Sequence, residues 1–492
     1  MEERSTSKLS DHKYKKGKII TPMNSMLGDK LALNSWTNER LPEYLWLGLI
    51  LHHYGRKKGL IKVQEILSLI SGLELDVNQP KISIITNLDN HKQIDVYKII
   101  NSVVNSSILA PLTILLRGER YEQFNEYFYD KSQTLDYRIS KIEEVLLRYY
   151  NHQSNEATDL RYLAICLPLF KGRVKLFEGV EGMIEALKNY SVTEHEDERM
   201  RFYRPAIRSF EGMELEEKDN TFISNFWKEL GLLTDCNPVY INYEEQQTEM
   251  KLFIKDTREL LEHLILVNKE ELLKESKFNV LIGSTAYIKK IFDELIEKDL
   301  GNSILGRHAY RTILEVYIMI KYLIKKEEEN PNIFLDYQLY GVGKFKHVLL
   351  RCRDGELIKE DTSHIKTPII HSLVNEPMWE EYLDIDVRYF DTQSIKKKFE
   401  EVDEKELYDV FYEYNNNYVH GFWGAVRESS MLFCDNPLHQ YHSLPDLENY
   451  QKLPNVINDT QAIYKKYLET LSNIYEFPEW FKHKYGELSY GI

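Results

Sequence analysis

Cysteine is scarce in this 492-residue chain: Cys166, Cys236, Cys352 and Cys434 are the only four, and they stand far apart. None belongs to the close pair that a zinc ribbon or a dithiol redox motif needs, and a reducing compartment follows. Glycine (22) and proline (14) are also few, so the chain reads as long helices with few tight hairpins. No uninterrupted apolar stretch reaches spanning length, and the opening MEERSTSKLSDHKYKKGK has no apolar core of the kind a signal peptide requires. The expectation is a cytoplasmic protein without membrane contact. Positive charge is in deficit, with 63 Lys+Arg against 78 Asp+Glu and a formal net charge of −15. Bulk binding of duplex DNA draws on counterion release by a basic surface, which this balance argues against. Three basic runs, His12–Lys16, Arg56–Lys58 and Lys396–Lys398, are short and read as solvated helix ends or a loose arm. Equally missing are a Gly-rich phosphate loop ending in Lys-Ser/Thr, Gly-x-Gly-x-x-Gly, Gly-x-Ser-x-Gly and His-Glu-x-x-His. Phosphate-loop nucleotide hydrolysis, Rossmann redox chemistry, serine hydrolysis and zincin proteolysis lose their usual signatures.

What is present points to an all-α protein. Hydrophobic residues at 43% and charged residues at 29% are globular values, and the length suits two or three domains at roughly 100–200 residues each. Leu41–Tyr54 (LPEYLWLGLILHHY) is almost continuously apolar after an early proline and reads as a buried helix, with Thr37 or Asn38 as its cap. Asp136–Tyr150 places Ile139, Ile142, Val145, Leu146 and Tyr149 on one face of an amphipathic helix. Further helices are expected near 92–107, 176–190, 218–233, 247–268, 280–299, 304–328, 403–427 and 458–474. Two short runs, Lys81–Thr86 (KISIIT) and Pro238–Tyr243 (PVYINY), are strand-prone. Helical periodicity lapses around Thr234–Gln247, which divides the chain into an N-terminal helical region (1–240) and a C-terminal helical domain (241–492). The polar stretch Arg351–Pro377 interrupts the second.

Chemistry-bearing residues concentrate late in the chain. Ala309–Ile320 (AYRTILEVYIMI) is apolar around most of its circumference apart from Arg311 and Glu315. A buried charge costs several kcal/mol, by order of magnitude, unless paired. An Arg four residues before a Glu is the weaker order for a helix pair, so either the two fix helix register or one addresses a third group. Leu407–Arg427 (LYDVFYEYNNNYVHGFWGAVR), read as one helix, sets Leu407, Phe411, Tyr414, Tyr418, Phe422 and Ala425 on one stripe. Asp409, Glu413, Asn416, His420, Gly424 and Arg427 lie opposite. That polar stripe is either a solvated face or a cleft in which Glu413 orients His420 as proton shuttle and Arg427 holds an anion. Gly421 and Gly424 suggest close approach of a helix or ligand, because glycine inside a helix costs about 1 kcal/mol against alanine. The His195–Arg208 segment is dense in charge and reads as a surface ion-pair network. His439 and His442 follow Cys434, but no second cysteine stands at ligand spacing, so no metal and no cofactor is expected.

The order Arg311-x-x-x-Glu315 … Tyr322-Leu323, then Tyr418-Val419-His420-Gly421, then Cys434-Asp435-Asn436-Pro437-Leu438-His439 resembles the prokaryotic domain-of-unknown-function family 5677, over roughly Thr248 to Pro445. That architecture is similar to HEPN helical bundles, many of them metal-independent ribonucleases of toxin and phage-defence systems that act as dimers. The resemblance implies a HEPN-like C-terminal domain in a defence or stress effector. It further implies RNA as the substrate, a homodimer, and an antitoxin or defence-system protein as a partner. In active members an Arg precedes the His by four to six intervening residues; His420 matches the histidine, whereas Glu413, Tyr414 and Asn415 occupy the arginine positions. On this reading His420 is the general acid/base, Arg311 or Arg427 the phosphate anchor with Glu315 orienting Arg311, and Arg427, Asn416, Glu413 and Tyr414 line the substrate site. The alternative is a catalytically inert interaction or sensor module in which Arg311–Glu315 is structural.

Overall fold

The computed structural model describes residues 7–27, 35–174, 181–210, 218–243, 250–355, 363–386 and 390–485. It is mostly helical, with 22 α-helices among the described residues. The chain divides into two compact units. One is built from residues 1–238 together with 433–442, the other from 239–432 and 443–492. Three short strands, Pro238–Val239, Met431–Cys434 and Ser443–Pro445, lie where the chain passes from one unit to the other.

In the first unit the core gathers around the helices Leu41–Tyr54, Arg56–Ser71, Leu135–Tyr149 and Asn155–Phe170. Every residue from Leu41 to Leu51 is buried, which explains why this stretch shows no polar face. Each large apolar side chain so enclosed contributes about 1.5–3 kcal/mol. The cap is neither Thr37 nor Asn38 but Ser35, whose hydroxyl accepts from the Asn38 amide at the start of a π-type turn, Trp36–Arg40. Gly59 lets the next helix pack closely, since a Cβ there would stand 2.8 Å from the Leu51 Cα. The Leu135–Tyr149 helix buries Ile142, Val145, Leu146 and Tyr149 as its periodicity predicts, with Thr134 as cap. Arg56–Ser71 and Asn155–Phe170 escape a periodicity reading; the second is buried from Ala157 to Pro168, so no solvent face marks its period.

Several expectations are corrected here. Ile82–Ile85 is a helical turn rather than a strand, and in PVYINY only Pro238–Val239 is extended as a strand. Lys13–Lys15 pairs antiparallel with Lys18–Ile20, Tyr14 opposite Ile19. The turn between them is Lys16-Gly17, both at positive φ (49° and 78°), the pattern of a type I′ hairpin. The His195 segment is not simply a surface network: His195 and Arg56 both pair with Asp159 at 3.1 Å, and Asp159 is buried.

The second unit packs the helices Met250–Val267, Ser276–Glu297, Ile304–Lys326 and Ile457–Ser472 around one core. Tyr464 and Tyr467 are fully enclosed, and the Tyr467 hydroxyl donates to the Leu281 carbonyl at 2.9 Å. Ile333–Asp354 and Thr367–Val374 are helices, so the stretch read as a long polar loop retains helix at both ends. Its residues 356–362 lie outside the described residues. Lys398 does not end a solvated run; it is fully buried, paired with Asp391 at 2.5 Å and seated over the Tyr322 ring at 4.1 Å. No helix among the described residues is long and apolar enough to cross a membrane.

Candidate functional site

The Ile304–Lys326 helix starts at Ser303, whose side chain accepts from the Gly306 amide. One face carries Arg307, Arg311 and Glu315, four residues apart. Arg311 Nη2 donates to the Tyr412 hydroxyl at 2.7 Å, that hydroxyl donates to Glu315 Oε1 at 2.8 Å, and Arg311 and Glu315 meet at 3.2 Å. The guanidinium lies 4.8 Å from the centre of the Tyr412 ring. The third group suspected on another helix is thus Tyr412, a residue without a place in the sequence reading. Burial, then the adjacent Glu315 carboxylate, push the Tyr412 phenol well above its ordinary range, so it remains a donor. Arg307 was also passed over. It is 2% exposed, donates to the Pro454 carbonyl and lies over Tyr418, and its Nε and Nη1 have no hydrogen-bond partner among the described residues.

Leu407–Arg427 is not one helix. A π-type turn covers Leu407–Tyr412, an α-helix covers Glu413–Val419, and a new helix begins at Trp423. The Gly421 amide bonds the Tyr418 carbonyl at 3.2 Å and the Phe422 amide bonds the Asn417 carbonyl at 2.9 Å, with Gly421 at φ 61°. This is the Schellman ending, in which glycine supplies the left-handed residue after the cap. Gly421 and Gly424 therefore do not mark close approach: a Cβ at either would meet nothing within 4 Å. The wide π-type turn also shifts the helical phase, so that Tyr412 and Asn415 are buried while Tyr414 and Phe422 are exposed.

The structure brings some of the nominated residues together and separates others. Arg311 and Glu315 join Tyr412. His420 sits eight residues beyond Tyr412, about 12 Å along a helix at 1.5 Å per residue. Its exposed ring stacks on Phe422 at 5.5 Å. Arg427, in the next helix, donates to the Met431 carbonyl at 2.8 Å. Tyr414 and Tyr418 both donate to Glu428 at 2.7 Å. Glu413 is exposed, and the Asn416 Oδ1 is buried without a partner among the described residues. The aligned stripe of Glu413, His420 and Arg427 does not exist, because one helix ends at Val419 and another begins at Trp423, between the last two.

A second constellation lies in the first unit and was discounted from the sequence. Cys236, Cys434, His439 and His442 bring one sulfur or ring nitrogen each to within 4.8 Å of all the others. The missing companion of Cys434 is supplied by Cys236, 198 positions earlier in the chain. Cys236 Sγ lies 3.5 Å from His439 Nδ1 and 3.3 Å from His442 Nε2, and Cys434 Sγ lies 3.5 Å from His439 Nδ1. Burial, then the charge of the nearby Cys434, raise the Cys236 thiol. Burial, then the neighbouring His442, hold His439 below the usual imidazole range.

With this geometry in view, the comparisons give one match. A model of a family of unknown function, DUF5677, is matched by residues 292–439. The DUF5677 stretch contains Arg311, Glu315, Tyr412, His420 and Arg427, and reaches Cys434 and His439. It is narrower than the expected Thr248 to Pro445 and leaves out Cys236 and His442. No curated protein and no solved structure matches the chain.

Proposed function

We propose that the second unit is a non-catalytic helical interaction module that self-associates through the exposed edge His420-Gly421-Phe422-Trp423. The observation carrying this reading is that Arg311, through its two Nη atoms, and Glu315 bond each other and Tyr412, two turns from His420, with only Arg311 Nε left without a partner among the described residues. These bonds hold the Ile304–Lys326 helix against the Leu407–Tyr412 turn. Phe422 and Trp423 instead stand 54% and 67% exposed beside the stacked His420 ring, and aromatic side chains of this kind anchor protein contacts. A second reading, a HEPN-like metal-independent ribonuclease of a defence or stress system, is favoured by His420 itself. Its ring is exposed, and neither ring nitrogen has a hydrogen-bond partner among the described residues. General acid/base work needs at least one ring nitrogen open to the substrate.

One pair of measurements separates them. Sedimentation of wild type and Trp423→Ser across a concentration series should show an oligomer that the substitution weakens at least tenfold. RNA incubated in metal-free buffer with wild type and His420→Ala should show no His420-dependent cleavage. A wild type that stays monomeric at all concentrations sinks the module reading, and cleavage lost in His420→Ala establishes the ribonuclease.

A further inference from the structure

The cluster of Cys236, Cys434, His439 and His442 is assembled by contacts that owe nothing to a ligand. Within the first unit the Asp435 amide donates to the Asn237 carbonyl at 2.8 Å, and the Asn436 side chain donates to the Asp235 carbonyl at 2.7 Å. Asn436 also turns the chain back on itself by accepting from the Leu438 amide at 2.9 Å. The Cys434 amide donates to the His442 carbonyl at 3.3 Å. Leu438, 3% exposed, is part of the first unit's core. The two short segments are thus held in register by bonds other than those among the four side chains.

Both imidazoles are oriented from behind. The Thr234 hydroxyl donates to the Leu230 carbonyl at 2.8 Å, which leaves its oxygen as an acceptor toward His439 Nε2, 2.9 Å away. The Thr234 carbonyl, 3.3 Å from the same nitrogen, also only accepts. His439 therefore carries its proton on Nε2 and turns a bare Nδ1 toward the two sulfurs. His442 Nδ1 lies 2.8 Å from the Gln440 carbonyl and must donate to it, so its bare nitrogen is Nε2, the atom facing Cys236. Two lone pairs and two thiols converge on one point, and each histidine has the outer carbonyl or hydroxyl partner that metal-bound histidines use.

We propose that these four residues bind one Zn2+ as a structural Cys2His2 site that clamps the 433–442 segment onto the 234–238 segment. Zinc takes sulfur at about 2.3 Å and nitrogen at about 2.0–2.1 Å, which in a tetrahedron sets neighbouring ligand atoms about 3.3–3.8 Å apart. Three of the four sulfur–nitrogen separations, 3.3 to 3.5 Å, fall in that range, and all four ligand atoms lie within 4.8 Å of one another. Two soft sulfurs with two imidazoles select zinc over the oxygen-seeking Mg2+ and Ca2+. Four protein ligands complete the tetrahedron, so the site has a structural role and leaves no open position for catalysis. On binding, each thiol releases its proton to solvent and each imidazole keeps the one it holds on its outer nitrogen. Cys236 is exposed, which gives the ion its way in.

The test uses the full chain, purified from zinc-replete medium without chelator, with elemental analysis and a Co2+ exchange spectrum as readouts. Wild type should carry about one zinc per chain, and its Co2+ form should show tetrahedral absorption with thiolate charge-transfer bands. Cys236→Ser and His442→Ala should each retain less than about one tenth of that zinc, while Cys352→Ser, at a cysteine outside the cluster, keeps it. Cys236 and His442 lie nearer the surface than Cys434, and far-ultraviolet circular dichroism verifies that their variants fold. Three results overturn the proposal: a wild type that takes up neither zinc nor tetrahedral Co2+, equal metal in wild type and Cys236→Ser, or a Cys236–Cys434 disulfide as the purified state.

Discussion

Removing Arg311 tests whether the charged pair of the Ile304–Lys326 helix is structural. Arg311→Ala deletes a 2.7 Å hydrogen bond to Tyr412, a 3.2 Å ion pair to Glu315 and a guanidinium placed 4.8 Å over the Tyr412 ring. The first, involving a charged group, is worth about 1.5–3 kcal/mol. The ion pair adds about 0–1 kcal/mol, because the Glu315 side chain is 33% exposed and water screens it. The cation–π contact adds about 0.5–1 kcal/mol. The expected loss is about 2–5 kcal/mol, read as a lower urea midpoint at unchanged slope, or as a fall of roughly 5–20 °C in Tm for a unit of this size. Tyr412→Phe keeps the ring and loses only the hydroxyl, for about 1.5–3 kcal/mol. The double variant should then show a coupling of about 1–2 kcal/mol, since both substitutions remove the same bond. Arg311→Lys should not rescue, because an ammonium cannot reproduce the fork that reaches Tyr412 and Glu315 together. If Arg311→Ala unfolds within about 0.5 kcal/mol of wild type, or if the coupling is nil, the pair is not structural and the interaction-module argument loses its foundation.

Gly421 and Gly424 should respond oppositely to the same substitution. Gly421→Ala forces a side chain into φ 61° and should cost about 1 kcal/mol, whereas Gly424→Ala, early in the Trp423–Ser430 helix with open space around it, should be neutral or stabilising by up to about 1 kcal/mol. Equal effects in thermal melts would refute the Schellman assignment. Glu404 offers a pH test. Burial raises its pKa, but hydrogen bonds from Lys321 and Tyr317, both at 2.7 Å, outweigh that and leave it below its ordinary value of 4.5. A depressed carboxylate stabilises fully above its unfolded pKa and loses that contribution as pH falls through the folded one. Wild type should therefore lose stability below pH 4.5 more steeply than Glu404→Gln, which starts about 1–3 kcal/mol less stable at neutral pH. Parallel pH profiles would contradict this.

Much of the candidate region was legible as pattern and illegible as geometry. The Arg311–Glu315 pair stood out because two charges interrupted an apolar helix, and the need for a third partner followed from burial cost. Its identity did not, since Tyr412 is 101 positions away and reaches the pair only through the π-type turn. The wheel drawn through Leu407–Arg427 assumed one uniform helix. A turn with a different period and a left-handed glycine each broke its phase, and the expected stripe of Glu413, His420 and Arg427 dissolved with it.

The sequence by itself determined the mostly helical class, the buried character of Leu41–Tyr54 and the face of Leu135–Tyr149, because local periodicity reports which side of a helix avoids water. It also determined the lack of a spanning apolar helix among the described residues. Only the tertiary structure decided what meets what. Asp159 found Arg56 and His195, Lys398 found Asp391 beneath Tyr322, and Cys236 found Cys434 and two histidines about 200 positions later. Spacing motifs are readable when their ligands share one local turn. A site whose ligands come from distant segments is specified by the packing that returns the chain to itself, and no short-range pattern carries that information.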